Sequence, residues 1–195
     1  MIDEIKKDLE ERYYDHPNRL DHVLGVASTA MELGSQVGLS ERKLLIASLL
    51  HDITKYFGEE EHKEMILNHF EDGASILKTY QPSLWHAFSA KVYAEEVYGI
   101  KDQDILEAIM HHTLGAPAMN PYAEILFLSD YIEPNRTYDS CIRVREIAKD
   151  SIVKAIYQAM DDTITYHQAK GQDIPKIALE ARDYYQMKQE ELWKN

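Results

Sequence analysis

Apolar residues recur at intervals of three and four along most of this chain, and little interrupts them. Its 195 residues include only 8 glycines and 6 prolines, and no segment shows the alternation of a half-buried strand. A chain patterned this way buries its apolar stripes by packing helix on helix. The expectation is an all-α fold, a compact bundle of about ten helices. The spacing predicts helices over 3–14 and over 17–37, the second with Leu20, Val23, Leu24, Ala27, Ala30 and Met31 on its apolar face. A helix through about Tyr56 follows an N-cap at Ser40, and another begins after Gly58 with acids in its first turn. Ser83 and Asp102 read as caps for helices over 84–98 and 103–113. Further helices are expected over 121–132, 138–149 and 151–169, with GAPAMNP as a loop and GQDIP as a turn. A charged amphipathic helix runs from Lys176 to Trp193. With no repeat or low-complexity linker, residues 1–195 read as one domain, its core over about 15–165 and its last helix over about 175–193.

The bulk properties exclude several classes. The first ten residues are charged and lack an apolar h-region, and no stretch reaches the length of a membrane span, so a cytoplasmic protein with no membrane partner is expected. The single cysteine, Cys141, cannot form an internal disulfide or a thiolate zinc cluster within one chain. A net charge of −13 repels nucleic acid. It does not exclude a small phosphate substrate, because a bound metal reverses the local field.

Ionisable residues stand where the pattern predicts core. The apolar run LLIASLL (44–50) ends in His51-Asp52, and the run ILFL (125–128) ends in Ser129-Asp130. A buried carboxylate is costly unless it is paired, hydrogen-bonded or bound to metal. His22 adds a third element, one turn before Gly25 on an apolar-faced helix. The result is H…HD…D, with 28 residues between His22 and His51 and 77 between Asp52 and Asp130. Two imidazoles and two carboxylates suit a divalent metal such as iron, manganese, zinc or magnesium. Adjacent helical residues lie about 100° apart, so His51 and Asp52 share a metal only near their common edge. A carboxylate there can bridge to a second ion.

The H…HD…D pattern resembles that of the HD-domain superfamily of metal phosphohydrolases. The local wording is similar to that of the YqeK family over roughly residues 15–165. The matching stretches are HVLGVASTAMELG (22–34), ASLLHDITK (47–55), WHAFSA (85–90), AIMHHTLGAPAM (108–119) and FLSDYIEPNR (127–136). The resemblance implies an HD-type bundle that splits diadenosine tetraphosphate symmetrically into two ADP. It implies two metal ions, one held by His22, His51, Asp52 and Asp130 and the other by Asp52, His86 and His112, with Asp52 bridging. It leans toward iron, with manganese, zinc or cobalt as substitutes. The chain departs from the family at His111, where an aromatic residue is usual, and at Leu114, often a threonine. His111 and His112 are therefore both candidates, and His112 matches the family position.

Around these residues, Lys55 lies three positions after Asp52, where it can contact phosphate or simply be solvated. Arg136 follows the break at Pro134 and can clamp phosphate or pair with an acid such as Glu133. Asp52, Lys55 and Arg136 are the catalytic candidates. Lys55, Thr113 and Arg136 are the candidates for substrate binding, and Glu133 and His111 for support behind the ligands. His16, His62, His69 and His167 read as surface or satisfied core residues. A nucleotidase or phosphodiesterase acting on another nucleotide is the alternative enzyme, and a metal or nucleotide sensor the alternative class. The last helix can pack on its own domain or on a second copy, which leaves a homodimer open.

Overall fold

Helix starts in this chain are set largely by short polar residues and acids. The computed structural model describes residues 1–192. α1 (Ile2–Arg12) opens with Asp3 and Glu4 and buries Ile5 and Leu9. α2 (Pro17–Gln36) begins with proline, whose missing N–H has no helical partner to lose. Ser40 Oγ accepts from the Lys43 N–H to start α3 (Glu41–Leu50). α4 (Glu59–His69) has three glutamates in its first turn. α5 (Gly73–Thr79) and a 3-10 turn (Pro82–Leu84) lead into α6 (Trp85–Glu96). Asp102 caps α7 (Gln103–His111) through the Asp104 N–H, and Asn120 caps α8 (Pro121–Ile132) through the Ala123 N–H. α9 (Asp139–Asp150), α10 (Ile152–Ala169) and α11 (Lys176–Leu192) complete the chain.

Among the described residues there is no strand, as the patterning requires. α8 is the hub. It packs against α2, α3, α7, α9 and α10, which explains why its ILFL run is buried on all sides. The main core joins Leu44, Leu49, Leu50, Leu106, Ile109 and Leu126 to residues from every layer, and a smaller cluster gathers Ile66, Ile76 and Trp85. No helix is long and apolar enough to cross a membrane among the described residues. α11 packs on its own chain: Ala181 and Tyr185 enter the main core, and the Tyr185 hydroxyl donates to Glu124 at 2.7 Å. Trp193 lies outside the described residues.

Four expectations need correction. α3 ends at Leu50 and does not reach Tyr56. Residues 51–56 form tight turns in which Ile53, Lys55 and Phe57 N–H groups bond three residues back. Tertiary contacts pin those turns: the Tyr13 hydroxyl donates to the Asp52 carbonyl at 2.5 Å, and Thr54 Oγ1 to the His86 carbonyl at 3.1 Å. Ser83 is not a cap either. It sits inside the 3-10 turn, and α6 starts behind Leu84 without a side-chain cap. α5 forms where no element was assigned, and the described helices number eleven, in line with a bundle of about ten. Finally, Leu24 lies off the buried face of α2, 46% exposed.

Candidate metal centre

Three histidines share one local device. His51, His86 and His112 each stand at a helix end or start, and each ring Nδ1 meets the carbonyl three residues back. The partners are Ser48 (2.6 Å), Ser83 (2.9 Å) and Ile109 (2.7 Å). His22 Nδ1 meets Glu133 Oε1 at 3.1 Å instead. Carbonyl and carboxylate oxygens accept and do not donate, so Nδ1 carries the proton in all four rings. Every Nε2 is then left with a free lone pair.

Those lone pairs converge. His22 Nε2 lies 3.0 Å from Asp130 Oδ1 and 3.9 Å from Asp52 Oδ2. His51 Nε2 lies 3.5 Å from Asp52 Oδ2. His86 and His112 Nε2 lie 3.2 and 3.6 Å from Asp52 Oδ1, and 3.2 Å from each other. His22 Nε2, His51 Nε2 and Asp52 Oδ1 are buried without a hydrogen bond despite these short separations. Lone pairs packed face to face repel, and only a proton or a cation between them relieves the repulsion. The donors fall into two overlapping groups, His22–His51–Asp130 and His51–Asp52–His112, with the ligand atoms of each within 4.8 Å of one another. Imidazole nitrogen and carboxylate oxygen in this number fit a divalent metal.

The electrostatics agree. Burial alone would raise the Asp52 carboxyl, but His51, His112 and His86 hold it well below the usual range. Burial would likewise raise Asp130, and Arg136, His22 and His51 lower it strongly. Burial lowers His86 to about 4 and also lowers His112, which keeps both rings neutral, as ligation requires. His51 is raised because Asp52 outweighs its burial.

The structure brings together all six sequence-predicted donors. His112 enters the cluster and His111 joins neither donor group; burial lowers the His111 pKa. Lys55 Nζ approaches His86 Nε2 at 3.0 Å and Asp52 Oδ1 at 3.7 Å. Arg136 pairs with Asp130 at 2.8 Å and not with Glu133. Thr113 lines a groove beside His112. Glu133 stands behind His22, as expected of a residue that orients a ligand, and its other oxygen accepts from the Asn135 N–H at 2.7 Å. Two residues escaped the sequence reading. Arg19 donates to Asp52 Oδ2 at 2.8 Å; its position one turn before His22 on α2 was the available signal. Arg145 of α9 donates to the carbonyls of Ile132, Glu133 and Arg136. It clasps the turn that carries both Glu133 and Arg136, and nothing local in the sequence marks it.

Gly25 makes room for this arrangement. A Cβ there would lie 2.6 Å from Glu133 Oε2, and Glu133 is buried and already committed on both oxygens. Gly25→Ala is therefore expected to dislodge the carboxylate and loosen His22. It should weaken metal binding about 10- to 100-fold, as should Glu133→Ala, since that is the usual loss on removing a partner of a ligand histidine. Chelator competition would measure it. Unchanged affinity in both variants would mean that Glu133 does not support His22.

The centre sits at one end of a groove of about 710 Å³ whose walls include His112, Asp130 and Arg136. Residues 19–135 match the family model described as HD domain, and the chain belongs to the HD domain family, whose members are metal-dependent hydrolases. Its relatives there carry a narrower name. The symmetrical bis(5'-nucleosyl)-tetraphosphatase of Bacillus subtilis is 33% identical over 170 residues, 87% of this chain and 87% of that protein. The protein of the same name from Halalkalibacterium halodurans is 35% identical over 157 residues, 80% of this chain and 83% of that one. A crystal structure from Clostridium acetobutylicum, described as a predicted HD superfamily hydrolase involved in NAD metabolism, superposes with a TM-score of 0.89 at 31% identity. The match covers 96% of this chain and 98% of that one.

Proposed function

We propose that this chain hydrolyses dinucleoside tetraphosphates symmetrically, converting diadenosine tetraphosphate and water into two ADP. The observation that carries the reading is the convergence of four Nε2 lone pairs and two carboxylates at the end of an open groove, in a chain whose relatives bear that enzyme's name. His22, His51, Asp52 and Asp130 would hold one divalent ion, and Asp52, His86 and His112 a second. Asp52 supports two ions, since its Oδ2 faces His22 and His51 Nε2 and its Oδ1 faces His86 and His112 Nε2. The donor set suits iron, manganese, zinc or cobalt, and iron is the metal that the family resemblance implies. All six donors come from one chain, so the centre needs no second subunit. The reading places the protein in the cytoplasm with its nucleotide substrate, where Cys141 stays reduced.

When bound, the metal supplies positive charge to the phosphates and lowers the pKa of water. The chain's own residues do the rest. Asp52 and the four histidines fix the position of that charge, each ring locked by its Nδ1 bond. Lys55 and Arg136 stand at the edge of the cluster, where their charge can offset what develops on the equatorial phosphate oxygens. Water attacks one of the two central phosphorus atoms, the central P–O–P bond breaks, and the bridging oxygen leaves on the second ADP. That leaving group is a phosphate whose last pKa is about 6, so a strong general acid is not required.

Product analysis tests the reading. Manganese- or iron-loaded protein incubated with diadenosine tetraphosphate should give ADP as the sole nucleotide product. ATP plus AMP would overturn the cleavage position, and no turnover by metal-loaded protein would overturn the activity.

A further inference from the structure

The molecule has a second groove, of about 620 Å³, that shares Thr113, Thr163 and His167 with the one at the metal centre. Beyond that common ridge the two are built from different parts of the chain. One is walled by the turn after α8 and the outer face of α10, including Tyr138 and Tyr166. The other is walled by the 3-10 turn before α6 and the turn between α10 and α11, including Tyr80, Leu84 and Ile174. Both volumes lie in the range of clefts that hold a small ligand. The ridge begins at Thr113, next to His112, and the second groove reaches Ser83, whose carbonyl holds His86. Two compartments therefore meet beside one metal centre.

Both grooves mix aromatic and charged lining, with Arg136 in the first and Lys78 and Lys176 in the second. Tyr138 is 72% exposed, so its ring is open for stacking, whereas Lys170 Nζ sits over one face of the Tyr166 ring at 4.2 Å. The second groove offers Tyr80, Leu84, Ile174 and Pro175. Asp139 and Asp162 line the first and Asp173 the second. Acids placed there repel phosphate and can accept from sugar hydroxyls. Lys55 and Arg136 stand at the metal centre, Arg136 where the first groove meets it. A cationic middle flanked by two compartments with aromatic walls is complementary to a polyphosphate with a nucleoside at each end.

We propose that the two grooves are separate nucleoside subsites, each taking one end of a dinucleoside polyphosphate whose phosphates cross the Thr113 ridge. This rests on the hydrolase reading for the identity of the ligand and explains how the cut falls in the middle: two bound ends leave the central anhydride at the metals. A mononucleotide enzyme needs one such compartment.

The test is a calorimetric titration of manganese-loaded protein with ADP, the product that each subsite would retain. The wild-type chain should bind two ADP. Gln172→Trp, which fills the second groove, and Thr165→Trp, which fills the first, should each bind one. Both positions are exposed, and phenylalanine serves at either site if a tryptophan variant does not fold. In kinetics, each single variant should raise KM for diadenosine tetraphosphate about tenfold or more. KM for adenosine tetraphosphate, which has one nucleoside fewer, should change little. One ADP per wild-type chain, or two in both single variants, overturns the assignment. The two readings fail separately: turnover with one ADP bound overturns only the subsites, and two ADP bound without turnover overturns only the hydrolase.

Discussion

Asp52→Ala should yield a folded protein with no measurable turnover and greatly reduced metal content. Asp52 is the one residue that touches every part of the centre. Its two oxygens lie within 4.0 Å of His22, His51, His86, His112, Lys55 and Arg19. Removing it leaves four imidazoles that can stay neutral and an arginine that is partly exposed and can turn to water. The fold itself rests on the apolar core beneath, and the Tyr13 bond to residue 52 uses the backbone carbonyl, so it survives the substitution. Circular dichroism and elemental analysis together make the check. Full activity in the variant would remove Asp52 from the mechanism.

Lys55→Ala should lower turnover roughly 10²- to 10³-fold, the usual loss when one group that stabilises transition-state charge is removed, with metal content intact. His86 Nε2 has a single lone pair, now faced by the Lys55 ammonium at 3.0 Å. If His86 held a metal through that lone pair, the Lys55 ammonium would be free to face the substrate. The side chain is 29% exposed, so it has room to move. Steady-state kinetics on metal-matched samples decide the matter, and unchanged kinetics would make Lys55 an ordinary surface residue.

How much of this was legible in the sequence depends on the range of the interaction. Caps at Ser40 and Asp102 are local, one side chain bonding the next turn, and both stand where the sequence puts them. The buried runs before His51 and Asp130 are local too, and they mark the donors because a polar group in such a run needs a partner. The stop of α3 at Leu50 was not legible. No glycine or proline marks it, and the turns at 51–56 are held by Tyr13 and by the His86 carbonyl, far off in sequence. His51 keeps helical backbone angles as the C-cap of α3, and the turns carry the chain on past it. Arg19 and Arg145 were missed for the same reason. Arginines are common on helix surfaces, and which acid or carbonyl they reach, 33 residues away for Arg19, is decided by packing.

The backbone tether on three of the four histidines has a consequence for how the protein acquires its ion. Each ring is aimed by a carbonyl of its own helix or turn, so the fold itself orients three of the nitrogen donors. The apolar core, which holds no metal ligand, gives the fold a second source of stability, unlike in small zinc domains that collapse only around their metal. A ready-made nitrogen and oxygen cage also ranks divalent ions mainly by their intrinsic binding order. Which of them occupies it in a living cell is then set less by the chain than by the supply it meets.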